Sequence, residues 1–141
     1  LTFCAGSFSA GEHNDCVAMA KQFADRTHFV HLRSCYIFPN GNFTEASHLG
    51  GRGHLIDLCR IFEKAEHEGK CNSGRRLSMR VDHGMTFTDE PGGVFDESNH
   101  GHNAGYTLLG RMFAMGQIQG VIATVDDELG IEYKQPGFYD E

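Results

Sequence analysis

The run LSMRVDHGM, residues 77–85, ends an apolar, strand-like stretch by presenting Arg80, Asp82 and His83 together, and then stops at Gly84. A strand that only filled a core would have little use for a carboxylate and an imidazole at its tip. Two earlier strand-like runs end in a similar way. LTFCA closes near Cys4, and THFVHLRS closes on His31 and Arg33. Side chains alternate along a strand, so Phe29, His31 and Arg33 share one face, as do Arg80 and Asp82. A thiolate, an imidazole and a carboxylate from three neighbouring strands make a mixed sulfur, nitrogen and oxygen donor set. Such a set suits a divalent transition metal such as Mn, Fe or Zn. Taken singly, each residue has a plainer role: Cys4 as a small core residue, His31 as a hydrogen-bonding group, and Asp82 as the ion-pair partner of Arg80. It is their convergence on one edge that points to a metal. Tyr106, in HNAGYTLLGR, follows a long loop that leaves this edge and returns over it. A phenol and the His83 imidazole beside a metal would form an acid–base pair.

These groups meet only if the strands lie parallel with their C-terminal ends together. Residues 1–5 predict a short strand, residues 27–32 a second and residues 77–82 a third. Asn14 is expected to cap a first helix carrying Val17, Ala20, Phe23 and Ala24. A Pro-, Gly- and Asn-rich loop is expected over residues 38–42. The clearest helical periodicity spans residues 53–68, with Leu55, Leu58, Cys59, Phe62 and Ala65 inward and Asp57, Arg60, Glu63 and Lys64 toward water. A last helix is expected over residues 105–119, burying Leu109, Met112 and Phe113. Residues 85–103 read as a long polar loop, and residues 126–141 as an acidic, weakly structured tail behind a main segment at 1–125. Strand and helix alternate three times, which predicts an α/β fold with a parallel sheet. That pattern fits either a small open sheet or one side of a (β/α)₈ barrel, whose usual length is about 250 residues. Ligands bind at the C-terminal strand edge in both.

Composition narrows the class. The chain has 141 residues, 12 Lys plus Arg against 19 Asp plus Glu, and a net charge of −7. Such a balance, with no basic stripe, argues against nucleic acid as a partner. No apolar run approaches the ~20 residues that span a bilayer, and no signal-peptide pattern opens the chain, so no membrane is expected. Five cysteines, odd in number and never spaced CxxC, suit a reducing cytoplasm better than a disulfide scaffold. Nine histidines invite a metal or acid–base role. His13, His54 and His67 read as surface, while His100 and His102 read as loop residues. The chain opens on Leu1 inside an expected strand, and is read as a piece of something longer.

TFCAGS, HFVHLRS, EASHLGG, RVDHG and NAGYTLLGR, in this order, resemble the C-terminal half of the mannonate dehydratase family, from Thr2 to about Gly120. The resemblance implies a TIM barrel of the xylose-isomerase-like kind, of which this chain would hold the last three strand–helix units, and makes the main segment at 1–125 part of a catalytic domain. It implies a hydro-lyase that dehydrates D-mannonate to 2-keto-3-deoxy-D-gluconate in hexuronate breakdown, using Mn²⁺ or Fe²⁺. Carried over by position, it makes Cys4, His31 and Asp82 metal ligands and gives His83 and Tyr106 to proton transfer. The family's further histidine ligand, from an earlier strand, has no counterpart here, so the isolated chain is expected to be inactive. Arg33 becomes a candidate for the substrate carboxylate, or equally a brace for a protein carboxylate. His48 becomes a candidate for a sugar hydroxyl. The full-length enzyme is expected to be a homo-oligomer acting on a small sugar acid. Val81, Met85 and Ala104 depart from the family's usual Pro, His and Pro. Two rival readings are another metal-dependent sugar isomerase or epimerase of this barrel class, and a non-catalytic α/β metal-binding module.

Overall fold

The computed structural model describes residues 1–87 and 105–132. Its centre is a three-stranded parallel sheet, β1 (Thr2–Cys4), β2 (Phe29–Leu32) and β5 (Ser78–Val81), ordered β1-β2-β5. Register aligns Cys4 with His31 and His31 with Arg80, so the three strands end together. Alternation then divides the residues between two faces. Phe3, Val30, Leu32 and Val81 turn toward the helices and are buried in one apolar cluster. Cys4, His31 and Arg80 turn to the other face.

The connections explain why the helices cover only one side. A one-turn helix α1 (Ala5–Ser9) leaves β1 and leads to α2 (Cys16–Phe23). The cap of α2 is Asp15, whose carboxylate accepts from Ala18 N at 2.9 Å. The expected cap, Asn14, instead donates to the Phe8 carbonyl. Helix α3 (Leu55–His67) buries Leu55, Leu58, Cys59, Phe62 and Ala65, the expected stripe. Phe62 meets Phe3 edge-on at 5.3 Å, seating α3 on β1.

Between β2 and α3 the expected loop at residues 38–42 is present, but it is the tip of a hairpin whose two strands were not expected. It consists of β3 (Cys35–Ile37) and β4 (Phe43–Glu45), paired antiparallel with Cys35 opposite Glu45. Residues 38–41 form its turn, Gly41 N donating to the Phe38 carbonyl at 2.9 Å, with Gly41 at φ 84°, a value a side chain disfavours.

The last helix, α4 (Leu108–Leu129), begins later and ends ten residues beyond the expected stop at 119. Residues 126–129, assigned in sequence to a weakly structured tail, are therefore helical; residues 133–141 lie outside the described residues. The expected inward residues are also corrected. Leu109, Met112 and Phe113 are 53%, 55% and 45% exposed, whereas Gly110, Ala114, Ile118 and Val125 are buried. The physical reason is backbone approach: a Cβ at Gly110 would collide with the Met85 carbonyl, so this glycine's side of the helix must face the sheet. By length and composition α4 could cross a bilayer, which revises the reading that no segment is long and apolar enough. In the fold it packs against α3 and β5.

Glu63, expected to face water, lies partly buried in the groove lined by α3, β5 and α4. Burial first, and the charges of Asp126 and Glu66 second, raise its pKa from 4.5 to about 7. A carboxyl raised on folding favours the folded state only while protonated, so stability declines as pH rises from about 4.5 through 7. Glu63→Gln should flatten this slope. In urea unfolding it should be more stable than the parent at pH 8, by on the order of 2 kcal/mol, with little difference at pH 4.5.

Candidate metal centre

The sheet's shared edge brings one donor atom each from Cys4, His31 and Asp82 within 4.8 Å of one another. No rearrangement of the backbone is needed, because register sets Cys4 beside His31 and the Asp82 amide continues the ladder onto the Leu32 carbonyl at 3.4 Å. The Asp82 carboxylate is divided between two tasks. Its Oδ1 accepts from Arg80 Nη2 at 2.6 Å and from the Tyr106 hydroxyl at 2.8 Å. Its Oδ2 faces His31 Nδ1 at 3.7 Å and His83 Nε2 at 3.9 Å. One oxygen is thus anchored while the other faces the two imidazoles.

Electrostatics favour the metal-binding protonation states. Burial alone would raise the Asp82 pKa, but the hydrogen bonds from Tyr106 and Arg80 outweigh it and hold the carboxyl below its ordinary value. Burial lowers the pKa of His31, only partly offset by Asp82, so the ring stays neutral and keeps a lone pair. A soft sulfur, a neutral nitrogen and an ionised oxygen fit a divalent transition metal.

His83 and Tyr106 stand against each other with ring centroids 4.4 Å apart. Two glycines make this possible. Gly105, at φ 90°, returns the chain so closely that a Cβ there would lie 2.7 Å from His83 Cβ and 3.2 Å from Glu45 Cγ. Its carbonyl accepts from Gly84 N at 2.8 Å, tying the exit of β5 to the start of α4. The Arg111 guanidinium lies 5.3 Å from the Tyr106 ring centroid. The hydrogen bond to Asp82, followed by burial, raises the Tyr106 pKa, so the phenol keeps its proton.

The remaining candidates sit farther back. Arg33 forks onto Glu45, Nε to Oε2 at 2.9 Å and Nη2 to Oε1 at 2.5 Å, with both side chains largely buried. Its fork is therefore occupied by a protein carboxylate, the second of its two sequence readings. His48 is 1% exposed, and burial lowers its pKa against a hydrogen bond to the Leu32 backbone. Its Nε2 has no partner among the described residues, and its loop is pinned by Gln117 Oε1, which accepts from Ser47 Oγ and His48 N at 3.2 Å each. His100 and His102 lie outside the described residues.

Glu45 escaped the sequence reading, although its segment was noticed. The signal was present: Asn40-Gly41 between CYI and FTE marks a two-stranded hairpin, and a hairpin rooted at Ser34 returns Glu45 to the end of β2.

Comparison with known proteins gives a consistent picture. The D-mannonate dehydratase (UxuA) family model matches residues 1–131. Mannonate dehydratase 2 of Agrobacterium fabrum is 37% identical over 131 residues, covering 92% of this chain and 31% of that protein. The mannonate dehydratase of Saccharophagus degradans is 36% identical over 128 residues, covering 89% and 31%. The crystal structure of mannonate dehydratase from Streptococcus suis serotype 2 superposes with a TM-score of 0.74 at 19% identity, over all of this chain and 36% of that one. The chain thus spans about a third of the length of these relatives.

Proposed function

The chain belongs to the D-mannonate dehydratase family, and from that premise we propose that it forms the metal-binding, C-terminal part of an enzyme that removes water from D-mannonate. The product is 2-keto-3-deoxy-D-gluconate. The observation that carries this reading is the cluster itself: three donor atoms within 4.8 Å, flanked by an imidazole and a phenol in tilted contact. Three parallel strands, each followed by a helix packed on one face, are what three consecutive units of a (β/α)₈ barrel require. The opposite face, bearing Cys4, His31 and Asp82, then lines the barrel's interior mouth.

The reaction is a β-elimination: a proton leaves C2, and the C3 hydroxyl departs as water. Mn²⁺ or Fe²⁺ held by Cys4, His31 and Asp82 supplies, when bound, positive charge beside the anion that develops next to the substrate carboxylate. Tyr106 and Arg80 keep Asp82 ionised and its free oxygen directed at that position. His83 and Tyr106 divide the proton transfers, one taking the C2 proton and the other protonating the departing hydroxyl. Their tilted contact, ring centroids 4.4 Å apart, keeps the two groups together, and each such group typically contributes about 10²–10⁴-fold.

Incubating the complete gene product with D-mannonate and Mn²⁺ tests this directly. NMR of the product should show a 2-keto-3-deoxy acid with a new methylene at C3. An epimerised or isomerised product with all hydroxyls retained would replace this reading with a sugar isomerase of the same architecture. Unchanged mannonate would remove the activity altogether.

A further inference from the structure

His83 has its two nitrogens in different company. Nε2 lies on the ligand side, 3.9 Å from Asp82 Oδ2, while Nδ1 lies 3.3 Å from Glu45 Oε1. Glu45 is not adrift: Arg33 grips both of its oxygens, and both residues are largely buried. The hairpin that delivers Glu45 is itself fastened, with Cys35 opposite it and Ala46 N donating to the Ser34 carbonyl at 3.0 Å. Gly105 packs on His83 Cβ and Glu45 Cγ, closing the third side, and Tyr106 covers the ring face.

We infer that Glu45, braced by Arg33, is a positioning residue for His83: it faces Nδ1 at 3.3 Å, restrains the imidazole and favours the tautomer protonated there, with Nε2 turned to the ligand side. The inference rests on the elimination proposed above for its catalytic consequence, but its structural half stands without it. Glu45 faces Nδ1 at 3.3 Å, closer than Asp82 faces Nε2 at 3.9 Å, which favours the tautomer protonated at Nδ1 and restrains ring rotation. The same division of labour, with one nitrogen held by a carboxylate and the other doing chemistry, governs histidine bases generally. Glu45 sits on a hairpin outside the main sheet, so its role depends on orientation and not on metal coordination.

The test uses the complete gene product, Glu45→Gln and Glu45→Asp, with metal content, steady-state kinetics on D-mannonate, and ¹⁵N-histidine NMR of the protein loaded with diamagnetic Zn²⁺. Glu45→Gln should keep its metal and a KM within about 3-fold, while kcat falls by about 10²-fold, in the range of lost acid–base assistance. Glu45→Asp should recover part of kcat. In the parent, the His83 resonances should show a protonated Nδ1 and an unprotonated Nε2, and Glu45→Gln should shift that balance. Parent-like kcat in Glu45→Gln would overturn the inference. So would an Nε2-protonated His83 in the parent, a result that decides the question even if the variant fails to fold. A parent that leaves mannonate unchanged would count against the elimination instead, with the NMR result still judging the contact.

Discussion

Cys4→Ala should strip the protein of its tightly held divalent cation. Elemental analysis of the purified complete gene product is expected to give near-stoichiometric metal for the parent and almost none for the variant. The loss should exceed the roughly 10–100-fold in affinity that removing an outer-shell partner costs, because a direct donor is deleted. The expectation rests on position: register fixes Cys4 beside His31, and no other thiol shares the donor cluster. Cys16, Cys35, Cys59 and Cys71 are buried, and burial raises the thiol pKa of Cys16 to about 11 and of Cys59 to about 12, which disfavours the thiolate a metal needs. Neither can readily substitute. Unchanged metal content in Cys4→Ala would remove sulfur from the site and leave a two-residue remnant.

His83→Asn is expected to do the opposite: keep the metal and lose turnover, with kcat reduced by about 10²–10⁴-fold. Asparagine retains a polar group beside Glu45 but cannot exchange a proton at the Nε2 position. Asp82 Oδ1 remains held by Tyr106 and Arg80 in this variant, so the donor cluster should persist. The two variants therefore separate holding the cation from moving the proton. Normal turnover in His83→Asn, measured by product formation at saturating mannonate, would transfer the proton chemistry to other residues.

The donor cluster was legible because it depends on two short-range facts, the period-2 alternation of strands and the pairing of parallel strand ends. Cys4, His31 and Asp82 each sit at a strand terminus, and parallel register does the rest. The hairpin is harder to see because its strands are short and largely exposed, so no apolar run marks them as one marks β1, although Asn40-Gly41 carries a turn signal. Helix α4 was misjudged for a different reason. It is apolar on nearly all sides, so periodicity cannot orient it, and Gly116 and Gly120 imitate a stop. Contact of Gly110 with the Met85 backbone, a tertiary fact, chose the buried side. His48 shows the same limit: it is buried, and its backbone amide is held by Gln117, some seventy residues away, which nothing local announces.

The central claim is that one cation is shared by sulfur, nitrogen and oxygen donors from three adjacent parallel strands. Anomalous diffraction from crystals of the complete gene product loaded with Mn²⁺ measures this most directly. A single peak bonded to Cys4 Sγ, an imidazole nitrogen of His31 and Asp82 Oδ2 is the predicted result. A peak bound elsewhere, with these three side chains engaged only with protein atoms, would contradict it.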